Sequence, residues 1–517
     1  MTIITVIVDL YTGRSCTPPI YHLVDVKAHP VFTTKPPKLV LWIPPWNHFP
    51  SYSPNYPTMT QKSTPGKKAL VRLQQRRADF ACSVNRVSPL HRLPTEILHE
   101  IFLDACMSDA APMRSDHREK LRYASETPLR IAAVCACWRN ICLASPHLWT
   151  FVFIDADDAH LSASVESLAV LYTERSSPKP FSCSISAKYH RGYEELEYPT
   201  IPYISLKTLF SGDMLDFSNC RLLTLDVIVG KLSDLSIPPP QFSSLECLHL
   251  KGFYDHDDID AAYSSPLFAD APRLSELRLF DTRCMMEFEL PWTQIRTLWL
   301  QSYDTMGEAL ELMKDIVDHF PRLETLVLYD IIEWPQEGTM TMEGIQTLQM
   351  LSQRGSVIFH VLKLPDLRCL EIVDEGPNVD AIIPFLASSP ILTELRLDNL
   401  TICDTDLLRI LEKTPGLKRL VVVEYNEDPE CFAITTELLK CLKEPSEFLT
   451  KLEHIELVWA EDNEIEEGDV LDVLEARHGC GTLTSAVIGV RGGEELQEDT
   501  LARIQSLRER KMTVLLY

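Results

Sequence analysis

Residues 274–279 read LSELRL and residues 323–328 read LETLVL. The same L-x-x-L-x-L pattern, or a close variant, recurs as LLTLDV at 222, LECLHL at 245, IRTLWL at 295, LRCLEI at 367, LTELRL at 392, LKRLVV at 417, LEHIEL at 452 and LTSAVI at 483. Ten copies at a mean spacing of about 29 residues mark a repeat array. In a short strand alternate side chains share a face, so the last two apolar positions of each copy point into a core and their neighbours point out. One such unit cannot bury its apolar face alone, but stacked units share a continuous core and a parallel strand ladder.

Between the copies the spacing predicts helices over 305–319, 380–388, 404–413, 435–443 and 466–478, where apolar residues recur every three to four positions. In APRLSEL, FPRLETL, SPILTEL and TPGLKRL a proline stands two residues before the leading leucine, where it ends the helix and sets up an extended segment. A helix at 494–511 and the strand MTVLLY at its end would close the array. The expected fold class is α/β: a curved solenoid with parallel strands inside and helices outside, preceded by a short helical domain. The array is similar to the irregular leucine-rich repeats. It departs from the standard repeat because the Asn or Cys that bonds the turn is missing, its positions holding Phe253, Thr282 and Ile331.

Upstream, residues 89–149 open with PLHRLPTEILHEIFLDAC and, after a polar insert over about 104–126, close with PLRIAAVCACWRNICLASPHLW. Pro94 suits the first turn of a helix, where its missing N–H has no partner to lose, and Glu96 suits the positive N-terminal end. Ile97, Leu98, Ile101, Phe102 and Ala105 then form one apolar face. Ile131, Val134, Cys135, Trp138, Ile141 and Cys142 repeat the pattern, so two short amphipathic helices are expected. Domains this small usually need a staple or a partner to bury enough apolar surface.

The ordered combination LPTEIL, V-C-x-x-W and S-P-x-L-W resembles the F-box, in the extended form of fungal F-box-like proteins. The resemblance implies docking on a Skp-type adaptor through Leu93, Pro94, Ile97, Leu98, Ile101, Phe102, Val134, Trp138, Leu148 and Trp149, and through it a link to a cullin-RING ubiquitin ligase. The implied role is that of a substrate-recognition subunit of an SCF-type ligase. The alternative is a non-catalytic leucine-rich scaffold that recruits no ligase.

The rest of the chain supports this division. Residues 1–65 carry many prolines and keep no helical or strand period, which predicts a disordered leader. Residues 66–88 read as a basic surface helix, in which Lys67, Lys68, Arg72, Arg76 and Arg77 form a solvated face. The F-box-like region runs over 89–150. From 151 to 517 a bridging segment, with strands at FVFID and 181–185 and a helix at 163–175, leads into the array.

Lys plus Arg number 49 against 74 Asp plus Glu, a net charge of −25. Residues 1–150 carry +8 and the remainder −33. An acidic array repels phosphate backbones and anionic headgroups, which argues against nucleic acid or a membrane as partner and leaves an unidentified protein substrate. The fifteen cysteines form no CxxC pair or paired framework, and several, such as Cys247, Cys369 and Cys441, fall in apolar segments. That pattern fits reduced thiols in the cytoplasm or nucleus. Residues 3–10 lack the preceding charge of a signal peptide, and no run nears the ~20 apolar residues of a membrane span.

No catalytic machinery is expected. His99-Glu100 begins like a zinc-binding HExxH, but position 103 is Leu. Gly66-Lys67-Lys68 lacks the upstream glycine of a phosphate loop, and no GxGxxG or GxSxG occurs. Acidic pairs such as Asp257-Asp258 and Glu466-Glu467 suit solvated loops and helix starts. No cofactor or metal set stands out. The candidate recognition surface is the outward row Glu276, Arg278, Phe280; Thr297, Trp299, Gln301; Thr325, Val327, Tyr329; Glu394, Arg396, Asp398. Within it Arg278, Trp299, Tyr329 and Arg396 are the best candidates for substrate contact, because aromatic and Arg side chains dominate interface energetics.

Overall fold

A computed structural model describes residues 93–107, 118–156, 162–187, 209–210, 215–228, 240–253, 266–280, 288–301, 314, 316–329, 339–351, 358–373, 378–400, 402–424, 432–445, 448–463, 465–491 and 496–517. The leader expected over 1–65, the basic helix expected over 66–88, residues 305–313 and 315 of the helix expected over 305–319, and Thr282, Ile331 and Asp257-Asp258 lie outside them. The chain is α/β and divides into two compact units.

Of the described residues, 93–105 and 129–142 belong to the first unit. Helix α1 spans Thr95–Met107, so Pro94 stands just before its first residue, with the Pro94 carbonyl accepting its first bond from the Leu98 amide at 3.1 Å. Helix α2 spans Arg118–Val134 and begins inside the polar insert, whose REKLRYASE run is rich in helix formers. Helix α3 spans Ala136–Ala144. The expected second helix is thus two helices broken at Cys135. Its carbonyl accepts from the Arg139 amide at 2.9 Å, and its Sγ accepts from the Trp138 amide at 3.4 Å, so Cys135 caps α3. Phe102 and Trp138 form the aromatic contact of the unit, with ring centroids 4.8 Å apart.

The second unit contains a sheet of fourteen strands, every adjacent pair parallel and in chain order. Its strands are β1 Phe151–Asp155, β2 Phe181–Ala187, β3 Cys220–Ile228, β4 Cys247–Phe253, β5 Glu276–Leu279, β6 Thr297–Gln301 and β7 Thr325–Tyr329. They continue as β8 Thr347–Leu351, β9 Cys369–Val373, β10 Glu394–Leu400, β11 Arg419–Glu424, β12 His454–Ala460, β13 Ser485–Arg491 and β14 Thr513–Leu516. Helix α4, Ser162–Ser176, joins β1 to β2. Helices α5 Val379–Ala387, α6 Asp404–Glu412, α7 Thr436–Lys443, α8 Glu467–Gly479 and α9 Glu498–Glu509 alternate with the last strands.

The leucine pattern has a specific structural cause. In eight of the ten copies the leading residue is the last residue of a tight turn, its N–H bonded to the carbonyl three residues back, as in Leu245 to Phe242, Leu274 to Ala271, Leu323 to Phe320, Leu392 to Ser389 and Leu417 to Thr414, at 3.1–3.3 Å. Pro272, Pro321, Pro390 and Pro415 each fill the second position of such a turn, where a fixed φ near −65° is favoured. The proline therefore opens a turn and not an extended segment. The turn lets two leucines three residues apart both face inward, after which Leu277 and Leu279, or Leu298 and Leu300, follow by strand alternation, essentially inaccessible to water.

The turns lock to one another. The Glu246 carbonyl accepts the amides of Ser275 and Glu276, both at 3.0 Å, and the Ser275 carbonyl accepts those of Arg296 and Thr297, at 2.8 and 3.0 Å. The same forked bond repeats at Arg296, Glu324, Gln346, Arg368, Thr393, Lys418 and Glu453. Strand β8 belongs to this series although its segment, IQTLQM at 345–350, lacks both outer leucines; it lies 22 residues from the copies on either side.

Behind β3 to β5, phenylalanines stack in a row. Phe210, Phe217, Phe242, Phe268 and Phe288 contact in sequence at centroid separations of 5.3, 5.6, 5.1 and 5.8 Å. Toward the C-terminus helix-to-helix packing supplies the corresponding layer, and Arg477 of α8 is enclosed there. Its guanidinium donates to the carbonyls of Leu442, Phe448 and Leu449, which closes the C-terminal end of α7. Phe242→Ala removes the middle of the phenylalanine row and should destabilise the second unit by about 3–5 kcal/mol in urea unfolding, against under ~0.5 kcal/mol for Lys451→Ala on an exposed turn.

Candidate functional site

The strand register places the outward side chains in straight rows. One row runs Thr224, His249, Arg278, Trp299, Val327, Gln349, Glu371, Arg396, Val421 and Glu456, one residue per strand from β3 to β12. Arg278, Trp299 and Arg396 all lie on it. Tyr329 lies on the next row, opposite Gln301 and Leu351.

Arg278 and Trp299 are brought into contact. The guanidinium carbon lies 4.1 Å from the Trp299 ring centroid, and the guanidinium also pairs with Glu276 at 2.5 Å. A cation stacked on an aromatic face and held by a carboxylate loses little freedom on binding. One row over, Lys251 Nζ lies 4.6 Å from the Phe280 ring centroid, so the β4–β6 stretch presents two such pairs.

Arg396 sits four strands beyond Trp299 among acids. It pairs with Glu371 at 3.3 Å and Asp398 at 3.0 Å, and Gln349 donates to Glu371 at 2.9 Å. Burial pushes the Glu371 carboxyl above its ordinary range, while the Arg396 charge pulls it back down. Arg278 and Arg396 are thus separated by five strand spacings, roughly 24 Å, and mark two different parts of the face.

Between β11 and β12 the face is not open. Val421, Val423 and Val458 form a buried cluster. The segments RLVVVE and HIELVWA are buried along nearly their whole length without alternation, as in strands covered on both sides, although Glu424 and Glu456 are among the buried residues. The outward row is therefore enclosed at β11 and β12, as it is at Thr224, His249 and Val327. At the far end of these strands Glu424 accepts the amides of Ile434 at 2.6 Å and Ala460 at 3.0 Å and the Asn463 side chain at 2.9 Å.

A cluster that the sequence did not single out lies at β3 to β5. Cys247 Sγ is 3.1 Å from His249 Nε2, His249 Nδ1 is 3.2 Å from Thr224 Oγ1, and Glu276 adjoins them from β5. Burial, with the nearby charges of Arg278 and Lys251, lowers the His249 pKa to about 3, and burial pushes the Cys247 thiol well up. Strand alternation alone places Cys247 and His249 on one face, but Glu276 joins them only through register.

Of the residues for which the F-box resemblance implies adaptor contact, Pro94, Ile97 and Val134 are exposed and Leu93 and Ile101 partly so. Leu98, Phe102 and Trp138 are buried. Leu148 and Trp149 belong to the second unit, also buried, with Trp149 edge-on to Tyr172 at 5.1 Å. His99 lies 3.6 Å from Glu100 on the α1 surface. No helix among the described residues is long and apolar enough to cross a membrane. No protein-family model matches the chain, and no curated protein matches it.

Arg396→Met strips the cation from between Glu371 and Asp398. Because all three groups are partly solvated, the cost should be about 1 kcal/mol at pH 7. The Arg396 contribution exists only while the carboxylates are ionised, so the deficit should shrink as pH falls through the carboxylate range. Parallel urea titrations at pH 7 and pH 4 check both the size and the sign.

Proposed function

We propose that this chain is the substrate-recognition subunit of an SCF-type cullin-RING ubiquitin ligase. The first unit acts as the F-box-like module and docks on a Skp-type adaptor. The second acts as a curved, leucine-rich-repeat-like solenoid, strands inside and helices outside, that holds a protein substrate. The reading rests on one observation above all: on the helices that carry the LPTEIL and V-C-x-x-W signatures, Ile97 and Val134 remain 48% and 37% exposed. Large apolar side chains left in water on so small a unit favour a partner surface.

In this role the chain contributes position and not chemistry. Tethering a substrate near a ubiquitin-charged enzyme raises its effective concentration, and no side chain here needs to transfer a proton or a bond. The rigid Arg278–Trp299 pair and the Arg396 cluster on the outward row are the substrate contacts. The strongly acidic second unit favours a substrate with basic character. Such a complex works in the cytoplasm or nucleus.

Co-expression of the full chain with a Skp-type adaptor, followed by size-exclusion chromatography, tests the proposal. A stoichiometric complex is expected, and Ile97→Asp should abolish it while circular dichroism stays unchanged, because that side chain is half in water already. A folded wild-type chain that elutes without the adaptor would favour a leucine-rich scaffold. Retained binding by Ile97→Asp would mean that another surface docks.

A further inference from the structure

We infer that Cys247, His249 and Glu276 form a binding site for a single zinc ion on the outward face of the sheet. A thiol, an imidazole and a carboxylate converge there, with their ligand atoms all within 4.8 Å of one another. Sulfur, nitrogen and oxygen donors from three side chains are the set that tetrahedral zinc accepts, and a fourth position is left for water. Hard cations such as magnesium or calcium prefer oxygen alone.

The geometry needs little adjustment. Zinc–sulfur and zinc–nitrogen bonds of about 2.3 and 2.0 Å at a tetrahedral angle hold the two atoms about 3.5 Å apart. Cys247 Sγ and His249 Nε2 are now 3.1 Å apart, so an opening of a few tenths of an ångström admits the ion. His249 is pre-oriented for it. Its Nδ1 is occupied by Thr224 Oγ1 at 3.2 Å, which directs Nε2 toward the thiol, the arrangement that fixes the ring of a metal-binding histidine from behind.

Glu276 is held similarly. Arg278 engages its Oε1, at 2.5 and 2.6 Å through two guanidinium nitrogens, and neither of these two contacts uses Oε2. Arg278 therefore fixes the carboxylate while leaving an oxygen to coordinate. On binding, the Cys247 thiol releases its proton to solvent, and zinc balances the thiolate and carboxylate charges. Half-exposed Glu276 provides the entry side, while His249 and Cys247 form the buried floor. The ion would pin β4 to β5 beside the Arg278–Trp299 pair.

Cobalt(II) added to the purified full chain tests this, because thiolate coordination produces a charge-transfer absorption that solvated cobalt lacks. One equivalent should bind with that absorption, zinc should displace it, and Cys247→Ser should remove it. Thr224→Val should weaken binding about 10–100-fold through loss of the orienting bond. Absence of the band in folded wild-type chain, or its survival in Cys247→Ser, would overturn the site. Should Cys247→Ser fail to fold, Glu276→Gln at its half-exposed position carries the same test: a fall in cobalt affinity of at least tenfold supports the site, and unchanged affinity overturns it.

Discussion

The forked hydrogen bond that joins each turn to the next governs this structure. A single carbonyl, one residue before each strand from β4 to β12, receives two amides from the following copy, as at Glu246, Ser275 and Arg296. That bond fixes where a strand starts relative to its neighbour, and so fixes register. A slip of one residue would send every inward leucine to the outward face, so the burial of Leu277, Leu298, Leu326 and Leu348 and the forked bonds enforce the same arrangement. The rows of outward side chains follow directly: Arg278 meets Trp299, and Glu371 meets Arg396, only because the carbonyls set their strands level.

Much of this was legible in the sequence, and the remainder has identifiable physical causes. The ten leucine copies each became a strand, and the helices expected at 380–388, 404–413, 435–443 and 466–478 form within a residue of their expected ends. The copy at Ile345 escaped because Ile and Met replace its outer leucines, although the core accepts them at little cost. The phenylalanine row was hidden by variable spacing: Phe242 precedes its leading leucine by three residues, Phe268 by six. Strand neighbours supply the Cys247, His249 and Glu276 cluster from 27 to 29 residues apart, so only register reveals it. Arg477 gives no signal at all, since a helical arginine is ordinarily a surface residue.

The outward face divides by chemistry. Over β4 to β6 two cations lie on aromatic rings; over β8 to β10 an arginine is surrounded by acids; over β11 and β12 valines close the surface. The face thus carries cation–aromatic pairs at one part and a partly solvated charge cluster at another. The first unit offers the opposite kind of surface, in which Ile97 and Val134 project from short helices with a small aromatic core. Two chemically distinct surfaces on one chain suit a protein that joins two others.

Hydrogen–deuterium exchange of the full chain, with and without a Skp-type adaptor, tests that division of labour most directly. The account predicts new protection confined to residues 93–105 and 129–142, with amides of the β4–β10 strands unchanged and the outward face left open for a substrate. Protection centred on the strand face instead, or none at adaptor concentrations that saturate F-box proteins, would contradict it.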